Sequence, residues 1–395
     1  MQRLGLCERL RASWKIVWSY RLGSLSSERQ AIMGFAILWV MFFHSSIDCS
    51  RFPVIATIKQ LGNLGVDIFL LLSGIGLYYS ALKLRGESSV GQQKNSHWVS
   101  QFYRKRIIRI LPATIICLFP WYLYLYRGQL NQINLPRFFL NITSLSYWID
   151  GTNRGWYVAL TIVMYALYPL MFPLIIWREN TEDIEDNNNE KAGSKTTAIS
   201  GKIRWSIPAV LIIADIVFNT AVAIYYPNCF EMVNLALGRV PVFIAGCFLA
   251  PSVRRKAMFR VLPAVSLLIG TGVLLILMRY MASIRAYAIW RYLYGILGLC
   301  VTVILSVIFQ MLRRNRIGSW IRGIFAFFGK YTLEIYLTHT QVLTVLDEQL
   351  NSRMSEVAIN ILSVIISILL SIMIHEGLSM ILQKHRSCLH LLESD

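Results

Sequence analysis

Charged residues are scarce in this sequence. Only 15% of its 395 residues are Asp, Glu, Lys or Arg, whereas water-soluble domains carry about 25%. Hydrophobic residues make up 55% of the chain, and its mean hydropathy is +0.51. The apolar residues form long continuous runs instead of the short alternating segments of a transmembrane β-barrel. The sequence therefore predicts an all-α, polytopic membrane protein.

Acidic residues are the scarcer of the two charge types, with 21 Asp and Glu against 39 Lys and Arg and a net charge of +18. The basic residues lie between the apolar runs, where they orient a protein in the membrane. We therefore expect no nucleic-acid partner. The seven cysteines have no metal-ligand spacing, and no metal site is predicted. Cys49 and Cys229 each lie just outside a predicted span, on the predicted outer side of the membrane, so they could form a disulfide.

The apolar runs predict about ten membrane-spanning helices, at about residues 29–48, 62–82, 107–126, 156–177, 206–226, 233–251, 261–280, 290–312, 324–346 and 357–382. Lysine and arginine concentrate in the N-terminal segment and in every second connection, which predicts that both termini are cytoplasmic. We expect residues 1–28 to form a cytoplasmic interfacial segment, 29–382 the membrane domain, 178–204 a disordered cytoplasmic loop within it, and 383–395 a cytoplasmic tail.

The first predicted span carries the main functional candidate. Its sequence, ERQAIMGFAILWVMFFHSSID, contains a single histidine, His44, near its outer end. An imidazole within a membrane helix is costly to desolvate and usually pairs, relays protons or reacts. Asp67 lies near the outer end of the next, antiparallel span, so the two side chains should lie at similar depth. We predict a His44–Asp67 pair in which the carboxylate orients a general base; the alternative is a hydrogen bond that only fastens two helices.

Basic residues mark the cytoplasmic start of the third predicted span. Arg106 and Arg109 are three residues apart and so lie on one helical face, beside Lys105. They could simply anchor the helix at the cytoplasmic surface. They could equally bind phosphate, because guanidinium groups bind phosphate oxygens in a bidentate way.

Two further polar side chains, Glu334 and His339, fall within the ninth predicted span. They are five residues apart and should face different partners. We expect Glu334 to pair with Lys330 or to line a polar cavity, since an unpaired carboxylate is costly there. His339 should lie near the depth of His44. Trp156 begins an aromatic face of the fourth span that is typical of packing at the membrane boundary.

Five motifs occur in the same order as those of the membrane-bound acyltransferase 3 family, which includes bacterial O-acetyltransferases of surface polysaccharides, and the chain resembles that family over about residues 28–382. These motifs are MGFAILWVMFFHS with His44, GVDIFLLLSG with Asp67 and Ser73, FYRKRIIRILP with Lys105, Arg106 and Arg109, GWYVALTIVMYALYPL with Trp156, and YTLEIYLTH with His339. The family's basic residue eleven positions before the histidine is here Met33, and Arg29, one turn earlier on the same face, could supply the charge.

This resemblance implies transfer of an acyl group, usually acetyl from acetyl-CoA, to a hydroxyl of a glycan. His44, oriented by Asp67, would deprotonate the hydroxyl, while Arg106 and Arg109 with Lys105 would hold acyl-CoA on the cytoplasmic side. The resemblance also implies a location in the bacterial cytoplasmic membrane. The expected partners are membrane lipids, acyl-CoA and a glycan or lipid-linked saccharide, and a homodimer is an open alternative to a monomer.

Two other functions fit the residues. One is a proton-coupled transporter or flippase of a saccharide, with His44, Asp67 and Glu334 as a proton relay. The other is a subunit of an envelope-synthesis complex that has lost catalysis, to which Met33 would point.

Overall fold

A computed structural model of the chain describes residues 19–86, 97–128, 133–151, 155–191, 206–280 and 289–392. The described residues form sixteen helices and two short strands. The helices are α1 Ser24–Ser27, α2 Arg29–His44, α3 Pro53–Leu61, α4 Leu64–Arg85, α5 Trp98–Leu125, α6 Leu135–Ile142, α7 Tyr147–Asp150, α8 Trp156–Lys191, α9 Ser206–Tyr225, α10 Pro227–Leu237, α11 Val240–Arg254, α12 Val261–Tyr280, α13 Ile289–Leu312, α14 Arg316–Lys330, α15 Thr332–Leu350 and α16 Glu356–Leu392. The strands are β1 Ser19–Arg21 and β2 Met258–Arg260.

Within the described residues, seven helical segments are long and apolar enough to cross a membrane. They are Pro53–Arg85, Trp98–Leu125, Trp156–Trp177, Ser206–Tyr225, Pro227–Arg254, Arg291–Leu312 and Glu356–Lys384. Two shorter apolar helices, Arg29–His44 and Val261–Leu274, coincide with two more predicted spans. The span predicted at 324–346 falls on α14 and α15, which Tyr331 separates. The prediction of an all-α polytopic membrane protein is confirmed, while the count of ten spans and the cytoplasmic termini stay predictions.

Helix α2 lies directly against α14, and glycine makes this contact close. A side chain at Gly34 would collide with the backbone carbonyl of Phe325, and one at Gly329 would collide with the carbonyl of Gln30. Such close backbone approach is typical of membrane helices that pack through small residues. Because α15 follows α14 after one residue, this contact also brings α15 to α2, against which it packs.

A second glycine contact joins α4 to α11 and decides which way α4 faces. A side chain at Gly74 would meet the backbone of Cys247, and one at Gly246 would meet the backbone of Leu71. Asp67, Leu71 and Gly74 are spaced by four and three residues, so they share one face of α4. The face that carries Asp67 is therefore the face that meets α11.

The N-terminal part of the described chain packs against the helices. Strand β1 pairs with β2 in an antiparallel sheet, the side chain of Leu25 is fully buried, and the Ser24 hydroxyl donates to that of Ser306 at 3.1 Å. Glu28 is also buried and pairs with Arg322. Residues 19–28 thus contact the helical domain, residues 1–18 lie outside the described residues, and the interfacial segment at 1–28 stays a prediction.

Two helices extend into stretches for which the sequence predicts a loop and a tail, and these two assignments stay predictions. Helix α8 continues to Lys191, into the stretch 178–204 for which we predicted a disordered loop. The stretch contains Glu and Lys, which are good helix formers. Helix α16 likewise continues to Leu392, through most of the predicted tail. Residues 192–205 and 393–395 lie outside the described residues.

Candidate active site

A cavity of about 380 Å³ lies at the C-terminal end of α2. It is lined by the last residue of α2, the first residue of α8 and one face of α15: His44, Trp156, Tyr336, His339, Thr340, Leu343 and Thr344. Its volume falls in the range of about 300–1,000 Å³ that is usual for small-molecule sites. The structure thus brings together three of the predicted site residues, His44, His339 and Trp156. Thr340 and Thr344 were missed, although their spacing from Tyr336 by four and eight residues places them on the same helical face.

The two histidines contact each other and orient each other's protons. His339 Nδ1 lies 2.9 Å from the carbonyl oxygen of Ile335, and its Nε2 lies 3.2 Å from His44 Nδ1. His44 Nδ1 also lies 3.0 Å from the carbonyl oxygen of Val40. A carbonyl can only accept a hydrogen bond, so a neutral His339 carries its proton on Nδ1 and accepts at Nε2. His44 then carries its proton on Nδ1, which leaves its Nε2 as the basic atom.

Asp67 does not take the place predicted for it, because the structure pairs it with Arg239 instead of His44. The Nε atom of Arg239 lies 3.4 Å from Oδ1 of Asp67, and both side chains are almost fully buried. The reason is the orientation of α4: the face that carries Asp67 packs on α11, which Arg239 precedes. His44 lies instead beside α15. The partner that orients His44 is therefore a second imidazole.

Arg239 connects Asp67 to the cavity through Trp156. Its Nη2 donates to Oδ1 of Asn63 at 2.7 Å, and its Nη1 donates to the carbonyl oxygen of Leu235 at 2.8 Å. The guanidinium carbon lies 4.9 Å from the centre of the Trp156 ring, a cation–π distance. Trp156 is thus both a wall of the cavity and the stacking partner of a buried, fixed arginine.

Three arginines gather near the other end of α2. Arg29 begins α2, and its charge interacts with those of Arg106 and Arg109 on α5. The guanidinium of Arg106 also stacks over Tyr165, 5.5 Å from the ring centre. The Nε atoms of Arg29 and Arg106 are buried, and neither has a hydrogen-bond partner among the residues that the structure describes.

The role of Arg29 as a substitute for the basic residue absent at Met33 stays a prediction, and its side chain packs against α4. Gly76 on α4 makes room for it, since a side chain there would lie within 3.1 Å of Arg29 Nη2. Lys105 is exposed on α5. The arrangement concentrates positive charge at one place and offers N–H donors to an anion.

Glu334 finds its partner on α16. Its Oε1 lies 2.9 Å from Nδ1 of His375, whereas Lys330, the companion we had expected, pairs with Glu376 at 2.5 Å. Lys330 ends α14 and is separated from α15 by Tyr331, so the one-turn spacing on a continuous helix that we assumed does not apply. Glu334 and His375 do not line the cavity of His44.

The remaining predicted residues lie at the edge of the site or away from it. Ser73 is buried and hydrogen-bonds to Tyr157, the neighbour of Trp156. Cys49 and Cys229 are free thiols, so the disulfide is not formed. Within the described ranges, no group of three or more His, Cys, Asp or Glu side chains could hold a metal ion.

Comparison with known proteins adds one strong match and one weak one. A family model described as an acyltransferase domain matches residues 31–376. The Regulator of hypoxia-inducible factor 1 from Caenorhabditis elegans is 28% identical over 174 residues, which is 35% of this chain and 32% of that protein. The chain therefore spans about a third of that relative's length. No solved structure matches the chain.

Proposed function

We propose that this chain, which belongs to the acyltransferase 3 family, is an integral-membrane O-acyltransferase. In this proposal it moves an acyl group, in the simplest case acetyl, from cytoplasmic acyl-CoA to a hydroxyl of a surface or lipid-linked glycan. The observation that carries the proposal is the His44–His339 pair in a cavity at one end of α2, with a cluster of arginines at the other end. We further propose that the protein works in the bacterial cytoplasmic membrane.

The arginine cluster would bind the donor. Acyl-CoA carries phosphate groups at one end and the reactive thioester at the other, and guanidinium groups bind phosphates by charge-assisted hydrogen bonds. Helix α2 has 16 residues, so its two ends lie about 22 Å apart at 1.5 Å per residue. The extended arm of acyl-CoA would run along α2, from Arg29, Arg106 and Arg109 toward His44.

The histidine pair would perform the proton transfers. Nε2 of His44 accepts the proton of the acceptor hydroxyl while the hydroxyl oxygen attacks the carbonyl carbon of the thioester. The carbon–sulfur bond then breaks, and His44 returns the proton to the leaving thiolate, so the reaction consumes no net proton. His339 keeps the proton of His44 on Nδ1 and is a positioning residue in this scheme.

Replacing His44 with Ala tests the function directly. Loss of a general base lowers the rate by about 10² to 10⁴, so cells that carry the variant should lose the acyl modification from their surface glycans. Mass spectrometry of glycans from cells with the wild-type chain, His44→Ala, or no chain measures this as a difference of one acyl mass. His97→Ala is the matched control, since His97 does not line the cavity. Normal acylation by a membrane-inserted His44→Ala protein would refute the assignment.

A further inference from the structure

The role of Arg239 is not explained by the proton transfers proposed above. Its side chain is 3% exposed, and it contacts the charged Asp67, the amide of Asn63 and the carbonyl of Leu235. A charged group is costly to bury unless it is paired and hydrogen-bonded. Leu235 on α10 and Asn63 before α4 accept hydrogen bonds from the two Nη atoms, and the Asp67 carboxylate pairs with Nε, so contacts from separate parts of the chain hold the guanidinium.

The guanidinium group of Arg239 lies over the ring of Trp156. Its carbon is 4.9 Å from the ring centre, and the same indole lines the cavity that contains His44 and His339. Because the arginine covers one face of the indole, the other face or the edge of the ring faces the cavity. Because Arg239 is held by two hydrogen bonds and one ion pair, it holds the indole in one orientation.

We propose that Trp156 is the platform on which the acceptor's sugar ring binds, and that Arg239 is the positioning residue that fixes this platform. This inference rests on the proposed function. It also gives Asp67 a role, since its carboxylate holds Arg239 in place and so acts on the cavity from a distance. The acceptor group that fits is a pyranose ring.

The chemistry of the cavity favours a sugar over a purely apolar ligand. An aromatic ring has a negative face, which attracts the weakly positive C–H groups on one side of a pyranose. Around this ring the cavity is lined by Tyr336, Thr340 and Thr344, which each carry a hydroxyl group, and by the two histidines. Hydroxyl and imidazole groups can exchange hydrogen bonds with sugar hydroxyls. The cavity volume of about 380 Å³ leaves room for one such ring.

The test is a steady-state kinetic comparison of protein reconstituted in lipid nanodiscs. Acetyl-CoA is the donor, and the methyl α-glycosides of glucose, galactose and mannose are the acceptors. Trp156→Ala should raise the KM for the glycoside about tenfold or more, and Trp156→Phe, which keeps a smaller ring, should raise it less. The KM for acetyl-CoA should stay within about twofold of the wild type in both variants, because the donor's phosphates bind elsewhere.

The same assay separates positioning by Arg239 from a general loss of structure. Arg239→Gln should raise the glycoside KM, and Arg239→Lys, which keeps the charge, should restore part of the loss. In a Trp156→Ala background, however, Arg239→Gln should have little further effect, because the group that it positions is gone. Arg127→Gln is the matched control: Arg127 also stacks on an aromatic ring, that of Tyr124, at 3.9 Å, but it does not line the cavity.

Three results would overturn the inference. They are an unchanged glycoside KM in Trp156→Ala, an equal rise in the KM for acetyl-CoA, and a full additional effect of Arg239→Gln in the double variant. Equilibrium dialysis of the radiolabelled glycosides tests the platform without catalysis. Weaker binding of the glycosides to Trp156→Phe and Trp156→Ala than to the wild type would support the platform. If no acyl transfer occurred in the same preparations, only the proposed reaction would be refuted. Equal binding by all three proteins would overturn the platform.

Discussion

Replacing His339 distinguishes the base from the residue that orients it. His339 Nε2 accepts from Nδ1 of His44 at 3.2 Å, but the carbonyl of Val40 remains as a second acceptor at 3.0 Å. His339→Leu therefore removes one of two hydrogen bonds that hold the tautomer. A typical hydrogen bond contributes about 0.5–1.5 kcal/mol, which corresponds to about a two- to tenfold fall in kcat. His44→Ala, by contrast, should cost about 10²- to 10⁴-fold.

A third variant, His339→Gln, checks the physical reason. The side-chain carbonyl of Gln can accept the Nδ1–H of His44, as Nε2 does in the wild type, so this variant should retain more activity than His339→Leu. The assay follows release of the CoA thiol from acetyl-CoA at saturating acceptor, with equal amounts of membrane-inserted protein. If His339→Leu lost as much activity as His44→Ala and Gln failed to restore it, then His339 itself would take the proton and the roles would be reversed.

Two further predictions concern the donor site and the packing of α2. Replacing both Arg106 and Arg109 with Ala should raise the KM for acyl-CoA about five- to thirtyfold, equivalent to about 1–2 kcal/mol for partly exposed charge-assisted contacts. Arg104→Ala is the control. An unchanged KM in the double variant would contradict the donor site. Gly34→Leu should lower the thermal unfolding midpoint in detergent, because its side chain would collide with a backbone carbonyl of α14 and overpacking costs about 1–3 kcal/mol. Gly323→Leu on α14, where a side chain meets open space, should leave the midpoint nearly unchanged, and an equal effect of both would argue against close α2–α14 packing.

The sequence gives the position of a side chain along its helix, whereas the direction in which it points around the helix was harder to predict. His44, Asp67 and His339 were placed near the outer end of their spans by counting residues. Depth alone does not say which of two neighbouring helices a side chain faces, so Asp67 was assigned to His44. The glycines of α4 do not resolve this in the sequence, because Gly65 packs against α2 while Gly74 packs against α11, so two faces of the helix carry glycine.

The partners of Glu334 show a second limit of prediction from spacing. The distance of four residues between Lys330 and Glu334 is one turn only in a continuous helix. Because Tyr331 separates α14 from α15, the two side chains take different partners on α16, Glu376 and His375. A contact between residues far apart in sequence, such as this one, depends on the packing of whole helices.

The sequence by itself determined that the chain is an all-α membrane protein, and it identified His44, His339, Trp156 and the arginines as the residues to examine. These conclusions follow from composition, apolar length and spacing, which are properties of single segments. Only the tertiary structure decided that His44 meets His339, that Asp67 meets Arg239, and that Trp156 joins the two groups. The reason is that helix rotation and pairing depend on contacts between segments far apart in the sequence, so they become visible only when all the helices are packed together.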